Sequence, residues 1–116
     1  VDIWKFKDKL YLGHDEPQHK VKWFWIAGRR EHLWIHCKDV ATLHEFSTKT
    51  SGYNFFFHDK DDYTLTSKQY IWAYPGKSYT DHTVMVMPEW KEDVDWDTLR
   101  ATNCFGICTD YPQRLI

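Results

Sequence analysis

Glycine and cysteine are scarce in this chain, and long hydrophobic runs are missing. Only five of its 116 residues are glycine, and they form no glycine-rich loop of the kind that holds phosphates. No apolar run approaches the ~20 residues that a membrane-spanning helix needs. Three cysteines are fewer than a secreted, disulfide-linked domain usually carries, and an odd number leaves at least one unpaired. We therefore expect an intracellular protein of a reducing compartment, with no membrane partner.

An excess of positive charge is also missing, since the net charge is −2. The charge is unevenly spread, however. Residues 1–58 hold nine Lys and Arg against seven Asp and Glu, a balance of +2, whereas residues 59–116 hold six against ten, a balance of −4. Six of the seven histidines also lie in the first half. Such an asymmetry indicates either a basic binding face in the first half or an ordinary mixed surface.

Aromatic residues are abundant. They make up 18% of the chain, and hydrophobic residues as a whole make up 42%, which excludes a disordered protein. The length predicts a single domain over residues 1–116 with a modest core. Because the sequence begins at Val1 rather than at Met, we expect a processed product or a domain excised from a longer chain.

The most informative stretch is residues 33–46, where a strand-like pattern passes into a helix-like one. Apolar residues alternate over residues 33–37 and then recur at helical spacing from Val40 to Phe46. Asp39 lies between the two patterns and suits a helix N-cap, because its carboxylate can accept a hydrogen bond from a free backbone N–H. We therefore predict a strand over residues 33–37 and a helix over residues 39–46.

Further strands are predicted on both sides of this stretch. Residues 3–6 and 10–12 read as a hairpin, and residues 20–27 read as a central strand whose partner is residues 33–37. A loop is predicted over residues 47–53, and later strands over residues 69–74 and 83–87. From Pro88 the pattern is helical, with Asp95 as an alternative cap of a separate helix, and the last ten residues read as irregular. The order predicts an α+β fold with a mainly antiparallel sheet and two or three helices.

No catalytic residue, metal ligand or cofactor site is predicted. Cys104 and Cys108 have the spacing of two zinc ligands, but a zinc site needs two more, and two small, partly buried thiols explain the pair as well. His36 and Cys37 are neighbours on a strand, so they point to opposite faces. No cysteine has the local signature of a nucleophile. An enzyme, for example a hydrolase or nuclease, is therefore the least favoured class but is left open.

Basic residues in the first half give the positive signal for nucleic acid. Lys5, Lys7 and Lys9 alternate through the first hairpin, which predicts that they project on one side, and the same spacing recurs in the next strand. Basic side chains so placed could neutralise several phosphates. The predicted phosphate contacts are Lys5, Lys7, Lys9, Lys20, Lys22, Arg29, Arg30 and Lys38. Trp23 and Trp25 share a strand face away from the lysines, which favours a role in the core.

The run WIHCKDVATLHEFSTKTSGYNFFFHDKDDYTL resembles the N-terminal domain of the baculovirus repeated-ORF (BRO) proteins of insect DNA viruses and phages. The similarity lies in a strand over residues 34–37, a Lys38-Asp39-Val40 motif that opens a helix, and a His-acidic turn over residues 58–62. A looser similarity, of pattern rather than of identity, covers about residues 3–87. The resemblance implies a DNA-binding domain of a viral or phage protein, acting in the host-cell nucleus or cytoplasm.

A protein-interaction module is the alternative. Exposed Trp and Tyr side chains would then anchor a host protein, and the nearly neutral charge suits that partner. The two hypotheses differ in their salt dependence, because phosphate contacts weaken steeply as salt rises and an aromatic interface does not. No base-reading set of Asn and Gln is evident, so the DNA hypothesis predicts binding that tolerates any sequence.

Overall fold

The computed structural model describes residues 1–48 and 52–116. The chain divides into two compact units. The first comprises Val1–Asp59 together with Thr66–Lys68, and the second comprises Lys60–Leu65 together with Gln69–Ile116. Each unit has a sheet of its own. The single domain expected over residues 1–116 stays a prediction.

A five-stranded sheet and two helices form the first unit. Along the chain its elements are β1 (Asp2–Phe6), β2 (Lys9–Leu12), β3 (His19–Val21), α1 (Trp23–Ala27), β4 (Trp34–Cys37), α2 (Val40–Ser47) and β5 (Asn54–Phe56). The strand order is β3-β2-β1-β4-β5. The pairs β1–β2 and β2–β3 are antiparallel, whereas β1–β4 and β4–β5 are parallel. Because parallel neighbours need a crossover, α2 lies between β4 and β5.

A four-stranded sheet organises the second unit. Its elements are β6 (Tyr63–Leu65), β7 (Ile71–Ala73), β8 (Thr83–Val86), a 3₁₀ helix (Pro88–Trp90), α3 (Trp96–Arg100), β9 (Gly106–Cys108) and a second 3₁₀ helix (Pro112–Leu115). The strand order is β6-β7-β8-β9. Here β6 and β7 are antiparallel, and the other two pairs are parallel.

The α+β class and the expected number of helices are confirmed, but the mainly antiparallel sheet is wrong. Among the described residues, four of the seven strand pairs are parallel. The prediction paired residues 20–27 with residues 33–37 as antiparallel neighbours. Instead β4 lies beside β1, in parallel, and the connection between them includes α1.

The central strand predicted over residues 20–27 is also wrong. β3 ends at Val21, and Trp23–Ala27 form a helix. Every residue from Trp23 to Ala27 is apolar, so this run has no polar position from which a period of two could be told from one of 3.6. Packing decides the outcome, because the helix places Ile26 fully in the core.

Two other local predictions are confirmed. β1 and β2 form the expected hairpin, joined by Lys7 and Asp8, whose φ angles of 50° and 63° are those of a two-residue hairpin turn. α2 begins after Asp39, whose side chain accepts a hydrogen bond from the backbone N–H of Thr42. The loop predicted over residues 47–53 lies partly outside the described residues, which omit 49–51.

In the second half of the chain, some of the predicted elements are confirmed and others are wrong. The strands predicted over residues 69–74 and 83–87 are confirmed as β7 and β8, and Asp95 caps α3 as the alternative prediction has it. The irregular C-terminus is wrong, because β9 occupies Gly106–Cys108. The backbone N–H of Met87 donates to the carbonyl of Cys108, which ties this short strand to the end of β8.

The core of the first unit lies on the helix-covered face of its sheet. It consists of Ile3, Ile26, Ile35, Cys37 and Phe46, all without solvent exposure. These five side chains come from two strands and from both helices. Consequently one face of the sheet is packed against α1 and α2, and side chains that alternate with the core residues point the other way.

Candidate nucleic-acid interface

The hairpin of β1 and β2, with β3 beside it, has two faces of different character. Ile3 pairs with Leu12, and Leu10 pairs with Val21, so these apolar side chains share the inner face with the core. The alternate residues form the outer face, which we define as Trp4, Phe6, Lys9, Tyr11 and Lys20. The outer face therefore combines three aromatic rings with two lysines, and by the same alternation Asp2 continues this face at the start of β1.

Lys5 lies on the inner face, so the prediction that Lys5, Lys7 and Lys9 project on one side is wrong. Lys5 pairs with Leu10, and its Nζ lies 3.2 Å from Oε2 of Glu45 on α2. Lys7 occupies the turn, and the two turn residues reverse the chain so that Lys9 faces outward opposite Phe6. The alternation in sequence does not continue through the turn, because β2 begins a new strand with its own phase.

Three lysines come together at one end of the outer face, and we call them the lysine cluster: Lys9, Lys20 and Lys22. Tyr11 pairs with Lys20, and continuing that register by one residue past β3 places Lys22 opposite Lys9. The charge of Lys9, with a smaller contribution from Lys22, holds the pKa of the Lys20 ammonium below its usual value. Within the described residues none of the three lysines forms an ion pair with a carboxylate. The cluster is thus a concentration of unneutralised positive charge.

Aromatic rings adjoin the lysine cluster. The rings of Phe6 and Tyr11 meet edge to face with centroids 6.4 Å apart, and Nζ of Lys7 lies 5.3 Å from the Phe6 centroid. Nζ of Lys22 lies 5.9 Å from the centroid of Phe24, which is 71% exposed. Phe6 itself is 51% exposed, which is unusual for a ring on a sheet.

The lysine cluster forms part of the lining of a cleft of about 310 Å³. Its lining residues are Asp8, Lys9, Leu10, Lys20, Val21, Lys22, Trp23 and Glu45. Two carboxylates therefore accompany the three ammonium groups, and Glu45 is already engaged with Lys5. The local balance of the lining remains positive, in contrast to the charge of the whole chain.

The remaining predicted contacts lie elsewhere in the first unit. Arg29 stacks on Trp25, with its Cζ 4.5 Å from the ring centroid, and donates to the carbonyl of Trp25. Arg30 donates to the carbonyl of Ala27, so both guanidinium groups bind the C-terminal end of α1. Lys38 follows β4 and is partly buried. Among the eight predicted residues, the structure brings Lys9, Lys20 and Lys22 together, and it pairs Lys5 with Glu45, which lines the same cleft as these three lysines.

Phe6 is the main feature that sequence reasoning missed. The signal was present, since Phe6 alternates with Lys5 and Lys7 in the first hairpin. Recognising it required the length of the turn, because only a two-residue turn places Phe6 directly opposite Lys9. Trp23 and Trp25 pack against the core as expected, but from a helix rather than from a strand.

A second polar group lies around His36 on β4. Its Nδ1 is 3.2 Å from Oδ1 of Asp2, and its Nε2 is 3.0 Å from the carbonyl oxygen of His58. The two nitrogens of the imidazole therefore link β1 to the segment that follows β5. Burial by itself raises the pKa of Asp2, but the hydrogen bond and charge of His36 outweigh it, so the net shift is downward. The ring stacks on Phe56, 5.0 Å between centroids, which fixes its plane.

Cys37 is fully buried in the core of the first unit. Burial, followed by the charge of Asp39, raises the pKa of Cys37 to about 12, so this thiol does not ionise near neutral pH. In the part of the chain that the structure describes, no three His, Cys, Asp or Glu side chains are grouped so that they could hold a metal ion. Over residues 1–48 and 52–116, no helix has the length and apolar character needed to cross a membrane.

Comparisons with known proteins add no relative. The chain matches no protein-family model, no curated protein and no solved structure. The resemblance to the BRO N-terminal domain, and the viral or phage origin that it implies, therefore stay predictions.

Proposed function

We propose that this chain binds DNA through the phosphate backbone, with the lysine cluster as the principal contact. The observation that carries the proposal is the meeting of Lys9, Lys20 and Lys22 at one end of the outer face without carboxylate partners. Like charges so close together repel one another in the free protein. A phosphate placed among them would relieve that repulsion and release counterions from the nucleic acid.

The other predicted basic residues take secondary places in this proposal. Lys7 adjoins Phe6 at the hairpin turn, so the ammonium group of Lys7 can reach a phosphate of a nucleic-acid strand that passes over Phe6. Arg29, Arg30 and Lys38 are proposed as outlying phosphate contacts. Lys5 is the member that the geometry favours least, because its ammonium is paired with Glu45.

Sequence-tolerant binding fits the chemistry of the outer face. Lysine ammonium groups bind phosphate as point charges and carry no information about base identity. The outer face contributes no Asn, Gln or Arg side chain that could read a base edge by paired hydrogen bonds. Affinity should therefore depend on salt and on the length of the nucleic acid more than on its sequence.

The salt dependence of binding tests the proposal. We expect a plot of log affinity against log salt with a slope of roughly −2 or steeper for a single strand, since the lysine cluster alone neutralises three phosphates at about −0.7 each and outlying contacts add to this. Replacing Lys9, Lys20 and Lys22 together with Gln should lower the affinity roughly 10- to 100-fold at 50 mM salt and flatten the slope. Fluorescence anisotropy with a labelled oligonucleotide measures both quantities.

A matched variant controls for net charge. Lys60, Lys68 and Lys91 are exposed and do not belong to the cluster, so replacing these three with Gln removes the same amount of charge from other residues. The proposal expects the control to bind within about twofold of the unmodified protein. Equal losses in the two triple variants, or no binding to any DNA at low salt, would rule out the lysine cluster as a DNA site.

A protein partner is the second candidate, and one observation favours it. A recess of about 410 Å³ in the second unit is lined by Tyr63, Leu65, Ile71 and Tyr79 together with Ser and Thr side chains. Tyr63 and Leu65 lie on the edge strand β6 and are exposed. Exposed apolar side chains grouped in this way are typical of interaction surfaces. If the DNA titration fails at low salt, this recess becomes the favoured site.

A further inference from the structure

We infer that the DNA ligand is single-stranded and that the ring of Phe6 stacks on one of its unpaired bases. This inference rests on the proposed function and adds the class of nucleic acid and the residue that selects it. Nothing in the lysine cluster itself distinguishes a single strand from a duplex, because both present phosphates. The distinction comes from the aromatic side chains beside the cluster.

The register of the sheet sets the ring beside the cations. Phe6 pairs with Lys9, and Lys22 follows in the same row across the three strands. Adjacent strands are about 4.8 Å apart, so the backbone positions of Lys9 and Lys22 lie about 5 and 10 Å from that of Phe6. Tyr11 and Lys20 form the neighbouring row in the same order. Rings lie on the β1 side and cations on the β3 side.

The exposure of Phe6 is what makes stacking possible. Half of this side chain is open to solvent, although residues of its type are usually buried. The planes of the Phe6 and Tyr11 rings are 65° apart, so Tyr11 does not stack flat on Phe6, and the Nζ of Lys7 lies 5.3 Å from the centroid of the Phe6 ring. Proteins that bind single strands combine such open rings with a basic track, and bases stack on the rings whatever their identity.

An unkinked duplex offers no base face to this arrangement. Its bases are stacked on one another and show only their edges in the grooves, so a ring on a flat sheet face finds no base face to contact. A single strand can turn a base onto Phe6 while its phosphates reach Lys9 and Lys22. Because the ring and the cations follow one another along the row, the outer face favours binding of unpaired nucleotides over binding of a duplex.

The test compares three ligands of equal length: a twelve-residue oligothymidine, a twelve-residue strand whose sugars lack bases, and a twelve-base-pair duplex. We expect Phe6→Leu to lower the affinity for oligothymidine roughly 5- to 150-fold, the range for loss of one stacked base. Binding of the base-free strand should stay within about twofold, because its phosphate contacts are unchanged. Phe6→Tyr keeps the ring and should retain binding of oligothymidine.

Phe105→Leu is the matched control, since Phe105 is also 51% exposed and also packs on a tyrosine ring, that of Tyr70. It lies in the second unit and should leave all three affinities unchanged. Thermal unfolding checks that each variant is folded, and Phe6→Val, which suits a strand, replaces Phe6→Leu if that variant does not fold.

Two results would overturn the inference while the proposed function stands. One is unchanged oligothymidine binding in Phe6→Leu when the triple Gln variant of the lysine cluster still weakens it. The other is an equal loss for the base-free strand, the duplex and oligothymidine, which would show that Phe6 supports the cluster rather than a base. Failure of all three ligands to bind the unmodified protein would remove both the inference and the proposed function.

Discussion

At the scale of single residues, the side chain of Asp39 accepts hydrogen bonds from two different elements. One carboxylate oxygen accepts from both the backbone N–H and the hydroxyl of Thr42, each at 2.7 Å, and so caps α2. The other oxygen accepts from the backbone N–H of Lys5 on β1 at 3.1 Å. One side chain therefore starts a helix and fastens it to the neighbouring strand.

Replacing Asp39 with Ala should lower the free energy of unfolding by roughly 1–3 kcal/mol, because the cap is lost and the hydroxyl of fully buried Thr42 loses its partner. Asp39→Asn should cost less, since an amide oxygen still caps the helix while an amide N–H₂ cannot accept from Lys5. Urea denaturation measures both.

Asp95→Ala is the comparison for this prediction. Asp95 caps the shorter and more exposed α3 through Thr98, so only the loss of a cap, roughly 1 kcal/mol, is expected there. Equal losses for Asp39→Ala and Asp95→Ala would contradict the additional role of Asp39 toward β1.

At the scale of elements, α1 separates two hypotheses about the same residues. In the strand predicted over residues 20–27, Phe24 and Ile26 would share one face and have similar surroundings. In the helix, Ile26 is fully buried in the core whereas Phe24 is 71% exposed. Helical spacing accounts for this difference, because Trp23, Ile26 and Ala27 share one side of α1.

Truncating Ile26 and Phe24 to Ala therefore gives a clear contrast. Ile26→Ala should lower the free energy of unfolding by roughly 2–5 kcal/mol, the usual cost of a cavity in a packed core. Phe24→Ala should cost less than about 1 kcal/mol, since its ring makes little contact with the core. Chemical denaturation of the two variants measures both losses. Similar losses in the free energy of unfolding would favour a strand over a helix at these residues.

At the scale of the whole molecule, three carboxyl groups make stability depend on pH in the same direction. Burial raises the pKa of Glu89, but hydrogen bonds from the backbone N–H of Asp110 and from neighbouring groups outweigh it, so its pKa is lowered. The hydrogen bonds from Thr98 lower the pKa of Asp95. Asp2 is lowered through His36. In acid the unfolded chain therefore binds more protons than the folded chain does.

The sign of the effect follows from linkage. These contributions are complete above the usual values of 3.8 for Asp2 and Asp95 and 4.5 for Glu89, and they are lost as the pH falls through the lower folded values. We expect the free energy of unfolding to decrease between about pH 5 and pH 2. A variant with Asp2→Asn, Asp95→Asn and Glu89→Gln should show a shallower decrease in urea titrations across this range. A decrease as steep as that of the unmodified chain would assign acid sensitivity to other groups.

The predictable part of the fold is the part with a clear period or a specific cap. The first hairpin and the helix after Asp39 follow from alternation, helical spacing and a carboxylate in the cap position. α1 could not be predicted, since five apolar residues in a row fit either a strand or a helix. The parallel pairing of β1 with β4 depends on contacts distant in sequence, which local patterns do not encode.

In the candidate site, too, local patterns predict some features, while others depend on how the strands pair. Alternation alone predicts that Lys20 and Lys22 lie on the outward side of their strand, and this is confirmed for Lys20, since β3 ends at Val21. Their meeting with Lys9, and the position of Phe6 opposite Lys9, depend on strand register, which is set by a two-residue turn. The prediction that Lys5 shares a face with Lys9 is wrong for the same reason, because the phase of alternation restarts after that turn.

The position of β3 at the edge of its sheet gives the lysine cluster a second consequence. An edge strand exposes unpaired backbone groups that can recruit a strand from another molecule, and charged lysines on it discourage such pairing. Lys20 lies on this edge strand, and Lys22 follows it directly. The same ammonium groups that would attract a polyanion thus keep copies of the chain apart. Neutralising them removes a safeguard against aggregation, which light scattering would reveal as growth of particle size with protein concentration.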